Sequence, residues 1–394
     1  MKTEVIIACR GEIPANLERT VSAAMTEAAV CIVYDGRETR DRMKPRAGLR
    51  IEDPFTSPRG CGQARHHGIT TSAAANVVLV DGHMAFPPGW IGKIERHLAK
   101  HLRDVTCCST QSLTPKWEPM PGELYHGAYL AMNTIEPQVD IAGPLTEFFA
   151  LCAKWRTDAP EKARVIQAPM GACYGMRREW YTMIGAPFKI LEAWGGEEEL
   201  LAVCGYLCGG RTYLLPLTCG HIHAAPHRER TIHPAGRWAN RLAILWAMPD
   251  MDAAAALERH MRQTGVPWAV IDGLVTDERG ERIEALRIHL SVQSRTWADM
   301  VKSLVLPRTD FRPEPKPLPA RAPATIPTTH RTIPRPPIGD SSQVVTRPVE
   351  VCERCNAVNP FRKVGGPRMH SRFNVAYARC WKCGHKAQVR QYVA

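Results

Sequence analysis
Over residues 1–305 the chain alternates short, continuous apolar runs with longer segments in which apolar and polar positions mix. The runs EVIIA (4–8), AVCIVY (29–34) and NVVLVD (76–81) have the length and unbroken apolar character of buried strands. Between them, PANLERTVSAAM (14–25) and CGQARHHGITTSAA (61–74) read as helices, the first opening on Pro14 and Asn16. Strand, helix, strand, helix, strand predicts an α/β fold, Rossmann-like, with a mostly parallel sheet flanked by helices. Residues 236–263 and 278–304 read as further helices that pack on this sheet. No long internal repeat is present.

The pattern stops at a change of composition. Residues 306–349 hold eleven prolines and few large apolar groups, so they are predicted to form a semi-extended linker rather than a helix or sheet. Residues 350–394 read as a small separate unit with two CxxC pairs, Cys352 with Cys355 and Cys380 with Cys383. Four thiolates in two such knuckles close a tetrahedron around Zn²⁺, and the pattern resembles a zinc ribbon. A unit this short lacks the core to fold unaided, so the metal is expected to supply much of its folding energy. The predicted organisation is a large α/β domain (1–305), a linker (306–349) and a four-cysteine zinc ribbon (350–394).

Composition adds a partner class. The chain is ordinary for a globular protein at 44% hydrophobic and 23% charged residues, but it carries a net charge of +12, which suits a polyanion. From Glu350 onward nine Lys/Arg face two Glu, and Phe361, Phe373, Tyr377, Trp381 and Tyr392 lie among them. Basic groups interleaved with aromatics suit phosphate contact and base stacking, so DNA binding through the ribbon is expected. The N-terminal apolar run is too short for a secretory signal, and no later run is long enough to span a bilayer; a cytoplasmic location is expected. The ten cysteines between positions 9 and 219 lie mostly in apolar stretches and read as small core residues.

Two stretches carry candidate chemistry. VVLVDGHMAFPPGW ends a strand in Asp81-Gly82-His83. Ligands of open α/β sheets bind beyond the carboxyl ends of the strands. Asp and His two residues apart can both face one metal there, and mixed oxygen and nitrogen ligation suits Mn²⁺ (or Mg²⁺) bridging a diphosphate. LLPLTCGHIHAAPH places His221, His223 and His227 near another strand end, where one of them would complete the site; spacing alone does not choose between His221 and His223.

These residues carry a family resemblance over about residues 3–250. The order of PANLERTV, VYDG, GCGQARHHGITTSAAANVVLVDGH, GACYGMRREWYTMIG, WGGEEELLAVCGYLCGG, GH and NRLAILW resembles the nucleotide-sugar glycosyltransferases of the GT-A fold. It is most similar to the catalytic domain of the polypeptide N-acetylgalactosaminyltransferases and to the family 2 enzymes, with the spacing from Trp194 to Cys208-Gly209-Gly210 equal to the family's. The resemblance implies that Asp81 and His83 are paired metal ligands and His221 the third. It implies Asp35 near the nucleotide base, Arg65 beside the diphosphate, and Trp194 and Glu197 at the sugar and acceptor.

Departures from the family shape the rest. The family carries an Arg three residues after the metal His, where this chain has Ala224; Arg228 or Arg230 is expected to replace it on a lid formed by HRERTIHPAGR (227–237). The family's lectin module and membrane anchor are not expected here, the linker and ribbon standing in their place. The closest resemblance implies retention at the sugar carbon. Family 2 relatives invert with a carboxylate base, for which Glu198 is the candidate. Glu199, in the first turn of the same helix, is expected mainly to complement the helix dipole. The function expected is metal-dependent transfer of a sugar from a nucleotide-sugar, UDP-linked, to a hydroxyl. The favoured acceptor is a hydroxymethylated pyrimidine in DNA, and the alternative is a protein or polysaccharide with the ribbon as a protein-interaction module.

Overall fold
A computed structural model describes residues 2–36, 42–132, 151–159, 164–170, 172–223, 234–248, 277–306, 361–364, 374–380 and 386–391. The chain divides into two compact units, Met1–Arg308 and Thr309–Ala394.

The first unit opens with β1 (Thr3–Cys9), α1 (Pro14–Met25), β2 (Ala29–Tyr34), β3 (Leu49–Glu52), α2 (Cys61–Thr71) and β4 (Asn76–Val80). β1 pairs in parallel with β2 and β4, and β2 in parallel with β3. There follow β5 (Met84–Ala85), α3 (Trp90–Lys100), β6 (Asp104–Leu113), β7 (Pro119–Tyr125), β8 (Ala128–Met132), β9 (Leu151–Trp155), β10 (Val165–Ile166) and β11 (Cys173–Arg177). After these come α4 (Arg178–Met183), a 3-10 turn (Pro187–Ile190), α5 (Glu197–Leu207), β12 (Arg211–His221), α6 (Pro234–Ala247), α7 (Asp277–Ser291), α8 (Trp297–Leu304) and β13 (Val305–Leu306).

Ten strands make one sheet along the path β10-β12-β6-β11-β4-β1-β2-β3, with β5 on β12 and β7 on β6. The expectation of a mostly parallel sheet holds for the first half only. β11 runs antiparallel to both β4 and β6, and β12 is parallel to β6 but antiparallel to β10 and β5. The sheet is therefore mixed. A parallel pair needs a crossover between its strands, and the three apolar runs that alternate with helices all lie in the parallel half; β6 instead turns straight back into antiparallel β7.

Alternate side chains of the central strands feed cores on opposite faces. Ile6, Val33, Val77 and Leu79 pack with residues of α2, α5, α6 and α7. Val5, Ile7, Val30, Ile32, Val78 and Val80 pack with α1 and α3. Seven of the nine described free cysteines are buried, as small core residues would be. Three of them, Cys108, Cys173 and Cys219, meet across β6, β11 and β12 inside the second of these apolar cores.

Several helix ends differ from the sequence expectation. The helix expected over 61–74 stops at Thr71, where Ser72 turns extended. Of 236–263, α6 accounts for the beginning, and residues 249–276 lie outside the described residues. The helix expected over 278–304 is two, because Thr296 restarts it: its N–H donates to the Asp299 carboxylate at 2.9 Å while its hydroxyl accepts from the Asp299 N–H at 3.1 Å. Leu306, expected to open the linker, ends β13, which pairs in parallel with β8.

In the second unit β14 (Phe361–Val364), β15 (Asn374–Cys380) and β16 (Lys386–Gln391) form an antiparallel sheet with β15 in the middle. Cys380 ends β15 opposite Phe361. Cys352, Cys355 and Cys383, with residues 307–349, lie outside the described residues. Among the described residues no helix is long and apolar enough to cross a membrane.

Candidate active site
The carboxyl ends of β4 and β12 meet through a short strand. His221 pairs with Met84 and Gly220 with Ala85, so β5 draws the Asp81-Gly82-His83 turn against the end of β12. The Ile222 N–H donates to the His83 carbonyl at 3.3 Å. β12 reaches this edge after a register shift between Leu214 and Thr218, around Pro216, which has no N–H for the ladder.

Ligand atoms of Asp81, His83 and His221 lie within 4.8 Å of one another. His221 Nε2 and Asp81 Oδ2 are 3.2 Å apart, and the two imidazole centroids are 4.7 Å apart. His83 holds its Nδ1 2.9 Å from the Glu12 carboxylate, which orients the ring and leaves Nε2 as its second nitrogen. This carboxylate–histidine arrangement is the outer-shell support that metal-ligating histidines use. His221 Nδ1 is buried without a hydrogen-bond partner among the described residues. Burial works against the Asp81 anion, but the His221 hydrogen bond and the charges of Arg65 and His221 outweigh it and hold the carboxyl well below the usual range. One ionised carboxylate and two imidazoles, one of them pre-oriented, fit a divalent cation. His223 is exposed, and its ring meets those of His221 and Trp155 edge-on at 4.3 and 5.1 Å.

Arg65 connects this triad to the acidic run. It is buried on α2, donates to Asp81 Oδ1 at 3.0 Å and to the Tyr174 hydroxyl at 2.9 Å, and lies 3.9 Å from Glu198. Glu197, Glu198 and Glu199 form the first turn of α5, where the helix dipole favours negative charge. Glu197 is buried, and burial raises its carboxyl against the opposing charge of Arg65. Burial, followed by the charges of Glu197 and Glu199, pushes Glu198 up to about 8. Glu199 does more than complement the dipole: it accepts the Ala153 N–H at 2.8 Å and ties α5 to β9.

Asp35 follows β2 and is buried. Its carboxylate accepts the backbone N–H of Arg59 at 2.6 Å and of Gly60 at 2.9 Å. Gly60 has φ of +104°, and a Cβ there would come within 1.7 Å of the Ala193 carbonyl oxygen. The Ala193 N–H in turn donates to the Arg59 carbonyl at 2.8 Å. Asp35 thus fixes the turn on which the half-buried Trp194 rests. Glu12, Tyr174, Asn240 and Arg279 escaped the sequence reading of the site. Asn240 was visible only as the first letter of NRLAILW, and Glu12 only as one acid in a polar loop. Arg228 and Arg230, with most of the expected lid, lie outside the described residues.

Residues 4–142 match the family described as Glycosyl transferase family 2. Those residues, which include the Asp81-Gly82-His83 turn, are similar to a family 2 glycosyltransferase domain. The chain is similar, at 22% identity over 267 residues, to polypeptide N-acetylgalactosaminyltransferase 10 of Mus musculus, covering 62% of this chain and 42% of that protein. Polypeptide N-acetylgalactosaminyltransferase 8 of Drosophila melanogaster is 24% identical over 179 residues, covering 43% of this chain and 27% of that one. The chain therefore spans less than half the length of these relatives. The chain shares its fold with GalNAc-T7, solved with UDP, GalNAc and Mn²⁺, at a TM-score of 0.54 and 15% identity over 77% of this chain and 56% of that one. The α/β architecture is GT-A-like, as the motif order implied.

Proposed function
We propose that the chain is a divalent-metal-dependent glycosyltransferase that moves a sugar from a nucleotide-sugar, UDP-linked, to a hydroxyl. The observation that carries this reading is the convergence of Asp81, His83 and His221 within 4.8 Å beside buried Arg65. The GalNAc-T7 structure, with UDP and Mn²⁺, supports the same donor and ion. When bound, the ion would supply Lewis-acid stabilisation to the departing diphosphate. Asp81, His83 and His221 would hold it, with Glu12 orienting His83. Arg65 adds a fixed positive charge on the same side, and Trp194 and Glu197 border the sugar. Glu198 is the candidate base if the reaction inverts; with its carboxyl at about 8 it is mostly protonated at neutral pH, and only the ionised fraction can take the acceptor proton. Arg228 and Arg230 are proposed to close over the donor.

The organisation proposed is a catalytic domain (1–305), a linker (306–349) and a Zn²⁺-binding ribbon (350–394) held by Cys352, Cys355, Cys380 and Cys383. Two acceptors divide the reading. The relatives' names support a polypeptide. The +12 net charge and the basic tail support DNA, with a hydroxymethylated pyrimidine as the receiving hydroxyl.

The deciding experiment offers a panel of UDP-sugars with Mn²⁺ to hydroxymethylated DNA, plain DNA and a peptide library, and reads added hexose mass. Asp81→Ala and His83→Ala abolish metal-dependent turnover; full activity in either rejects the metal assignment. Transfer to peptide alone rejects the DNA acceptor, and no donor turnover with any sugar rejects the enzyme.

A further inference from the structure
The loop that carries Trp194 is held from behind by a buried polar bracket. Asn240, on α6, accepts the Glu192 N–H on its Oδ1 at 2.9 Å and donates from Nδ2 to the Gly195 carbonyl at 2.7 Å. One side chain therefore grips the backbone on both sides of Trp194. Arg279, on α7, donates to the same Asn240 Oδ1 at 2.6 Å and to the Ile190 carbonyl at 2.8 Å. Both residues are buried, Asn240 at 1% and Arg279 at 0% exposure.

The loop needs such a bracket. Ala193, Gly195 and Gly196 all have positive φ, at 61°, 96° and 99°. Left-handed backbone at a non-glycine such as Ala193 costs energy and persists only where the surroundings over-determine it. A Cβ on Gly196 would lie 2.8 Å from Ile244 Cδ1, so α6 packs hard against the turn that opens α5. Buried polar groups in low dielectric are rigid when every member is satisfied, and Asn240 spends its acceptor on two donors and its amide on one carbonyl.

We propose that Asn240 and Arg279 are positioning residues that set the pose of Trp194 and Glu197 toward the sugar. This rests on the glycosyltransferase reading for what the loop touches. Their hydrogen bonds run to the backbone of Ile190, Glu192 and Gly195, through which they act. On that reading the metal triad and Arg65 hold the diphosphate, so loosening the loop lowers kcat while donor KM stays near that of the unaltered protein.

The test compares Asn240→Ala, Asn240→Asp and Arg279→Lys in the full chain. Amide hydrogen exchange reads the loop directly. Asn240→Ala is expected to speed exchange over 192–197 by about tenfold or more while β1 and β4 keep their protection, which separates local release from global unfolding. kcat is expected to fall on the order of a hundredfold, the size that a misplacement of about 1 Å produces. Asn240→Asp keeps the oxygen for Glu192 and Arg279 but loses the donor to Gly195, and falls between the unaltered protein and Asn240→Ala in both readouts. Should Asn240→Ala not fold, Asn240→Asp and Arg279→Lys decide. Unchanged exchange over 192–197 in the folded variants, or raised exchange with unaltered kcat, overturns the proposal. If the unaltered protein turns over no donor, the glycosyltransferase reading has failed, and the exchange data alone then judge whether the bracket sets the loop.

Discussion
His83 holds its Nδ1 2.9 Å from a carboxylate oxygen of Glu12, and both side chains are buried. The pair spans the sheet's carboxyl edge, joining the loop after β1 to the turn after β4. A neutral His83 must then carry its proton on Nδ1, so that Nε2 bears the lone pair a metal requires. Glu12→Gln is expected to weaken Mn²⁺ binding by about 10–100-fold, the usual loss when an outer-shell partner is removed. Manganese titration followed by electron paramagnetic resonance checks this without any substrate; an unchanged affinity rules out the orienting role.

Arg65 is the cation between Asp81 and the first turn of α5. Removing one partner of a buried ion pair leaves uncompensated charge and costs about 3–5 kcal/mol. Arg65→Ala is expected to lose stability of that order in urea denaturation, and Asp81→Asn added to it is expected to restore part of the loss. Additive losses in the double variant would show that the two side chains do not interact.

Glu198 makes stability pH-dependent. Its carboxyl is raised from 4.5 to about 8, so between those values the folded protein holds a proton that the unfolded chain has released. The contribution is fully present below the lower value and is lost as pH rises through the upper one. In metal-free protein Tm should therefore decline across this window, and the decline should be shallower in Glu198→Gln. Parallel Tm profiles for the two proteins would contradict the raised carboxyl.

His66, on α2, works in the opposite direction. Burial, then the charge of Lys189, lowers its imidazole from 6.5 to about 4, while Nδ1 sits 2.9 Å from the Tyr181 hydroxyl. Its contribution is present above 6.5 and is lost as pH falls through about 4. His66→Gln should flatten acid unfolding in that range, read by circular dichroism against pH.

Gly60 is where the Asp35 turn meets the Trp194 loop. Gly60→Ala drives a Cβ to 1.7 Å from the Ala193 oxygen at a φ of +104°. Overpacking together with backbone strain predicts a loss of about 2–4 kcal/mol, measured by urea midpoint. A midpoint within error of the unaltered protein would mean that the turn can relax.

Apolar period and motif order were enough to foresee β1, β2 and β4, α1 and α2, and the meeting of an Asp-x-His turn with a histidine after a later strand. Those features are local: a continuous apolar run, a proline at a helix start, a ligand pair two residues apart. The antiparallel insertion of β11 was not legible, because strand direction depends on which neighbour a strand finds, not on its own side chains. Nor was the break near Thr296, where a single capping exchange overrides an otherwise helical stretch.

By itself, the sequence determined the α/β class, the candidate ligands and the acidic turn, since these follow from residue type and spacing. Spacing left His221 and His223 open and the resemblance alone pointed to His221; the tertiary structure brings His221 to Asp81 across 140 positions, because β5 pairs with β12. It also divided the three adjacent acids. Glu197 is buried near Arg65, Glu198 is raised by burial and then by its like-charged neighbours, and Glu199 is tied to the backbone of β9, because successive positions on a helix point about 100° apart and meet different walls. Chain order sets which groups exist; only packing sets which charges face each other and which are shielded from water.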